Sequence, residues 1–162
     1  MKQTLINMFN KVKEEVPKLK LVIVGGGARL DQIKELVKKK GLEREVIFTG
    51  QLECEKIPEI IKMVDVCVCY YADRECNYYR NSMKVREYLA MGKFVVCTNI
   101  GDLKKFKRYT IQTEPNQNDF SKGIIKALKI KDSKKLKEKR REFIIKNFSW
   151  DNIARDLVKK LK

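Results

Sequence analysis

The chain has no histidine in its 162 residues, and that absence removes whole classes of chemistry. Neither a Ser-His-Asp or Cys-His nucleophilic group nor an imidazole-ligated metal site can be assembled from it. Five cysteines (Cys54, Cys67, Cys69, Cys76 and Cys97) contain no C-x-x-C pair, so they read as reduced thiols in a reducing compartment rather than as metal ligands or disulfides. No apolar run approaches the roughly 18 residues of a membrane-spanning helix. The N-terminus also lacks the apolar core of a signal peptide, so a cytoplasmic setting is expected. Acidic residues are the scarce charge, 21 against 37 Lys and Arg, for a net charge of +16. Such an excess favours anionic partners: phosphates, acidic lipid surfaces or nucleic acid. A solvated lysine-rich surface produces the same count without any partner.

What is present alternates between helical and strand periodicity. Leu5, Ile6, Phe9, Val12 and Val16 recur at helical spacing, and Pro17 ends that element. Leu19 to Val24 reads as a buried strand closed by Gly25, Gly26 and Gly27, followed by a helix from about Leu30 to Lys40. Val46 to Phe48 is a second strand ending at Gly50. Pro58 opens a helix reaching Met63, and Val64 to Tyr70 forms a third strand. Residues 71–81 read as a polar, aromatic loop. After Gly101 come a basic stretch, a short strand near Tyr109 to Gln112, and helices from about Asp119 to Leu128 and Ser133 to Asn147. A final amphipathic helix covers about 150–162. This order, with 43% hydrophobic residues, fits one α/β domain with a doubly wound, Rossmann-like parallel sheet over 1–162.

The most informative stretch is SMKVREYLAMGKFVVCTNIG, residues 82–101. A helix carrying Lys84 and Glu87 on one face runs through Gly92 into the apolar strand Phe94 to Cys97 and a turn at Gly101. Ligands of open α/β sheets sit at helix N-termini and strand carboxyl ends, which places the candidate site here. The stretch resembles the donor-side segment of retaining GT-B glycosyltransferases of the group 1 (family 4) type, which often reads P-x-K-x-x-E-Y-x-A-x-G-K-P-V-V. Lys84, Glu87, Tyr88, Ala90, Gly92, Lys93, Val95, Val96 and Gly101 match in register, and Phe94 stands at the usual proline. Val22 to Gly27, Val46 to Gly50, Ile57 to Val68 and the F-S-W-D-x-I-A run at the end extend the resemblance over nearly the whole chain.

The resemblance implies the C-terminal, nucleotide-sugar-binding half of a two-domain glycosyltransferase. The N-terminal acceptor domain lies outside this chain, and Met1 falls just past the family's first strand. It implies transfer with retention in glycan, lipid-linked saccharide or cell-envelope polysaccharide synthesis. It implies a nucleotide-diphosphate sugar as donor, no metal and no other cofactor. Glu87 would accept from the ribose hydroxyls. The backbone at Asn81, Ser82 and Met83, with Lys84, would hold the diphosphate, although Ser82 reads equally as a plain helix cap. The family's sugar-contacting glutamate falls at Tyr79, and Arg80, Glu75 or Asn77 could supply polar contacts from the same loop. Gly25, Gly26 and Gly27 would line the cleft or simply make a tight turn. Arg29 beside them could reach a phosphate, and Gln51 and Leu52 stand where base recognition is common. No residue is assigned as catalytic, and the fragment alone is expected to be inactive.

The segment 126–146 holds ten Lys or Arg and three acidic residues, with Leu128, Leu136, Phe143 and Ile144 as its apolar stripe. It reads as a solvated helix face first and as an anionic membrane-surface patch, at the inner membrane face, second. Nucleic-acid binding is not expected, since no binding motif accompanies it. Two rival functions stay open: a nucleotide- or nucleic-acid-binding module, and a non-catalytic subunit of a split glycosyltransferase.

Overall fold

A computed structural model describes residues 2–161; Met1 and Lys162, the two ends of the expected domain, lie outside the described residues. Helix α1 (Lys2–Glu15) leads to strand β1 (Leu21–Val24), helix α2 (Leu30–Lys39) and strand β2 (Val46–Gly50). A 3-10 turn (Cys54–Lys56) precedes α3 (Ile57–Met63), whose Pro58 sits in the first turn where its missing N–H costs nothing. Strand β3 (Val66–Cys69), the short helix α4 (Glu75–Tyr78), helix α5 (Met83–Ala90) and strand β4 (Phe94–Thr98) follow. A 3-10 segment (Gly101–Tyr109) then leads to β5 (Ile111–Thr113), α6 (Gln117–Lys129), α7 (Lys134–Phe148) and α8 (Trp150–Leu161).

The parallel α/β architecture expected from the sequence is observed, with all strand pairings parallel. The strands fall into two sheets, β1–β2 and β3–β4–β5. Two expectations need correction. The 71–81 loop contains α4. The short strand near Tyr109 lies further on, at Ile111–Thr113, because the basic stretch before it winds as 3-10 helix through Tyr109.

One helical layer comprises α1, α2 and α6. Ile6 and Phe9 of α1 pack with Ile33 and Val37 of α2 over Ile23 and Val46. Met8 and Val12, from the same helix, pack with Phe120, Ile124 and Ile125 of α6 over Val96. The opposite layer is built from α3, α5 and α7: Ile61, Val85, Leu89 and Ile144 cover Cys67, Cys69, Val95 and Cys97. The side-chain period of two explains the split within β4, whose Val95 and Cys97 face α5 while Val96 faces α6.

Arg140 of α7 is buried although it lies in the basic run expected to be solvated. Its Nε donates to the Gly92 carbonyl at 3.0 Å, a second nitrogen pairs with Asp132, and the guanidinium lies 5.4 Å from the Phe94 ring centre. Phe94, at the position where proline is usual, thus forms part of the bed for a buried cation. Lys93 donates from Nζ to the carbonyls of Lys62 and Val64 at 2.8 Å each, closing the C-terminal end of α3.

Candidate functional site

The loop before α5 and the turn after β4 are bound to each other by short contacts. Gly101 has φ +56°, and a Cβ built there would lie 2.7 Å from the Tyr78 carbonyl oxygen and 2.9 Å from that of Asn77. The glycine of the 82–101 motif is therefore required both by its backbone conformation and by the close approach of the 77–78 backbone. Beyond it, Asp102 accepts the Ser82 backbone N–H at 2.9 Å. Arg86 of α5 reaches the same carboxylate oxygen at 3.9 Å, and its guanidinium sits 4.6 Å from the Phe148 ring centre. The other Asp102 oxygen and the Arg86 Nε are buried with no protein partner among the described residues.

Ser82 occupies the cap position of α5, but its side chain does not cap the helix. It is buried, with its hydroxyl 3.7 Å from the Cys69 sulfur. The side chain of Ser82 therefore does not act as a plain cap, and its own backbone amide is satisfied by Asp102, twenty residues further along the chain. Sequence reasoning missed Asp102, whose only signal was an acid directly after the motif glycine.

Lys84 and Glu87 are both exposed on α5. Neither is within ion-pair distance of an opposite charge among the described residues. Their position follows from chain direction: α5 is entered from the carboxyl end of β3, so its first turn opens at that end of the sheet. Asn81 and Arg80 are exposed nearby, with the Arg80 guanidinium 5.5 Å from the Tyr71 ring centre. Tyr79 is 83% exposed, and Met83 is half exposed with its sulfur 3.8 Å from an Arg86 nitrogen. Asn77, by contrast, serves the loop from within. It is buried, and its amide donates to the Ala72 carbonyl at 2.7 Å to hold the loop itself.

The glycine turn stands at the carboxyl end of the other sheet. Gly25 and Gly27 have φ of 108° and 117°, which accounts for glycine at both positions, and a Cβ at any of Gly25, Gly26 or Gly27 would meet nothing within 4 Å. The Gly25 N–H donates to the Gly50 carbonyl at 2.8 Å, bringing the turn beside Gln51, which is exposed. Arg29 is exposed at the start of α2. The expected residues therefore form two groups, Gly25–Gly27 with Gln51 and residues 79–87 with Asp102, each at the carboxyl end of its own sheet.

The thiols beneath the site are not reactive groups. Burial pushes Cys67 and Cys97 up to about 12 and raises Cys69 as well. Cys69 and Cys97 are register partners on neighbouring strands, which reflects core packing on one face.

Comparison with known proteins agrees with this architecture. The family model described as "Glycosyl transferases group 1" matches residues 3–150. An uncharacterized glycosyltransferase of Methanocaldococcus jannaschii is 25% identical over 95% of this chain and 39% of that protein. The mannosylfructose-phosphate synthase of Agrobacterium fabrum is 28% identical over 77% of this chain and 29% of its own length. Among solved structures, the sucrose-phosphate synthase of Thermosynechococcus elongatus superposes with a TM-score of 0.80 at 22% identity, covering 99% of this chain and 41% of that one. Anabaena HepE, solved with UDP and glucose, gives a TM-score of 0.77 at 18% identity over 98% of this chain and 43% of its own. The chain thus spans about two fifths or less of the length of these relatives. With a family match over almost all of its residues and a shared fold, the chain belongs to the group 1 glycosyltransferases.

Proposed function

We propose that this chain is the donor side of a retaining glycosyltransferase and binds a nucleotide-diphosphate sugar across the carboxyl ends of its strands. The observation that carries this is the pair Lys84 and Glu87, solvent-facing and without ion-pair partners among the described residues, on the helix whose first turn opens at that end. A carboxylate fixed on a helix accepts hydrogen bonds from two vicinal ribose hydroxyls. Lys84 and the amides at the start of α5 offset the diphosphate charge, which grows as the glycosyl bond breaks, and no metal is invoked. The complex of Anabaena HepE with UDP-glucose supports a nucleotide-sugar as ligand class.

In this reading Tyr79 and Arg80 flank the sugar, Gly25–Gly27 border the cleft, and Gln51 lies towards the base. A further domain supplies the acceptor, so the 162-residue chain binds donor without completing transfer. The product class is glycan, lipid-linked saccharide or envelope polysaccharide, and the teichuronic acid glycosyltransferase among the relatives supports it. The setting is cytoplasmic, with contact to an anionic membrane face. The net charge supports that contact, as does α8, where Asn152 ties the polar side to the Ile145 and Lys146 carbonyls while Trp150, Leu157 and Leu161 stay exposed. Among the described residues no helix is long and apolar enough to cross a membrane.

Isothermal titration with UDP, GDP, ADP and CDP tests the reading. Saturable binding of at least one diphosphate is expected. A folded protein that binds none at millimolar ligand contradicts it, and affinity for oligonucleotides that collapses with salt would favour a nucleic-acid module instead.

A further inference from the structure

The diphosphate proposed at the start of α5 lies beside a charge that the chain itself supplies. Asp102 accepts the Ser82 backbone N–H at 2.9 Å through one carboxylate oxygen, and its other oxygen is buried without a protein partner among the described residues. Arg86 stands 3.9 Å from the bonded oxygen, beyond hydrogen-bond distance. One hydrogen bond and one distant cation leave this carboxylate under-compensated.

The pair is also oriented. Asp102 bonds the cap residue of α5, whereas the Arg86 backbone lies four residues, or ~6 Å, further along the axis. The guanidinium is shared with the Phe148 ring, 4.6 Å from its centre. The negative end of the pair therefore lies at the mouth of the helix, where the Ser82 side chain caps none of the following amides.

The field of Asp102 reaches the strand ends beneath that mouth. Burial is the main reason that Cys69 and Cys97 hold their protons, and the Asp102 charge adds to both, while Lys84 acts on Cys69 in the opposite sense. Lys84 and Asp102 thus set opposite charges at the carboxyl end of β3. Lys84 is exposed and screened by solvent, whereas the Asp102 side chain is only 11% exposed.

We infer that, on the nucleotide-sugar reading above on which this rests, Asp102 sets the preference between a diphosphate ester and a free nucleoside diphosphate, acting against the free form. When the glycosyl carbon–oxygen bond breaks, the bonding pair stays on the diphosphate oxygen. The leaving nucleotide then carries about one more negative charge than the donor, since a terminal phosphate loses its second proton near pH ~6. A mostly buried anion a few ångströms away repels that extra charge with little screening. Asp102 thereby weakens product binding more than donor binding and favours product release.

Calorimetric titration with UDP and with UDP-glucose at pH 7.5 tests this through the ratio of the two dissociation constants. The chain is compared with Asp102→Asn and Arg86→Gln, each checked for folding by circular dichroism. Asp102→Asn keeps an acceptor for Ser82 and loses the charge, so UDP should gain at least ~3-fold over UDP-glucose. Arg86→Gln removes the countercharge, so UDP should lose against UDP-glucose by a similar factor. A purely structural role moves both variants in one direction, which makes opposite shifts the signature of charge. An unchanged ratio in either folded variant, or two shifts of one sign, overturns the inference and leaves the donor site standing. Each variant has its own expected sign, so misfolding of one leaves the other to decide. A folded parent chain that binds neither ligand overturns the nucleotide-sugar reading, and this inference with it.

Discussion

The backbone N–H of Ser82, the cap residue of α5, donates to the Asp102 carboxylate at 2.9 Å. That carboxylate ties the helix to the turn after β4 and faces the Arg86 guanidinium. Replacing Asp102 with alanine leaves the partly buried Arg86 guanidinium without its charge partner. We expect a loss of about 2 kcal/mol, given the ~1.5–3 kcal/mol typical of hydrogen bonds to charged groups. Urea unfolding measures it, and Asp102→Asn should recover part of the loss by keeping an acceptor for Ser82.

Arg140 joins α7 to the end of α5 through the Gly92 carbonyl and to Asp132. Arg140→Ala should cost ~3 kcal/mol, because removing one member of a buried pair strands the other. Arg140→Lys should not rescue it, since an ammonium lacks the fork that reaches both partners. Denaturant midpoints of the two variants against the parent check this.

Gly101→Ala should cost about 1–3 kcal/mol, the range for a residue held in strained backbone. The added Cβ meets the Tyr78 carbonyl oxygen at 2.7 Å, so the 77–78 backbone must move as well. Thermal unfolding gives the cost, and amide shifts confined to residues 75–82 and 99–103 would show where the strain is relieved.

The overall alternation of strands and helices could be read from the chain because each strand is a short apolar run bounded by glycine or polar residues. Val46–Gly50 and Phe94–Thr98 are examples, legible from periodicity alone. Helix α4 was not legible, since four residues hold too little pattern to separate a single turn from a loop. The same limit hid Asp102 and Arg140. Their contacts join residues 20 and 48 positions apart, and nothing local distinguishes a buried arginine from its exposed neighbours in a basic run. The motif singles out Gly101 from its position alone, but the steric reason for that glycine required the 77–78 backbone to be in place.

The five thiols should separate by burial. Cys54 and Cys76 are exposed and should react rapidly with a disulfide reagent at pH 8, while Cys67, Cys69 and Cys97 react only on unfolding. The buried thiols also set an alkaline limit. Unfolded thiols ionise near 9.0, whereas Cys67 and Cys97 hold their protons until about 12. Their contribution is therefore complete below pH 9 and is lost as pH rises towards 12, because the unfolded state releases protons that the folded state keeps. Urea midpoints between pH 8 and 11 should fall, and the fall should shrink in a Cys67→Ala, Cys97→Ala double variant.

Calorimetric titration of the chain and of Glu87→Ala with UDP tests the donor-site account most directly. The account predicts saturable binding to the parent and at least a ~10-fold weaker Kd for Glu87→Ala, the equivalent of about 1.4 kcal/mol. The unfolding midpoint should be unchanged, because Glu87 is exposed and has no ion-pair partner among the described residues. Equal affinities for the two folded proteins would contradict it.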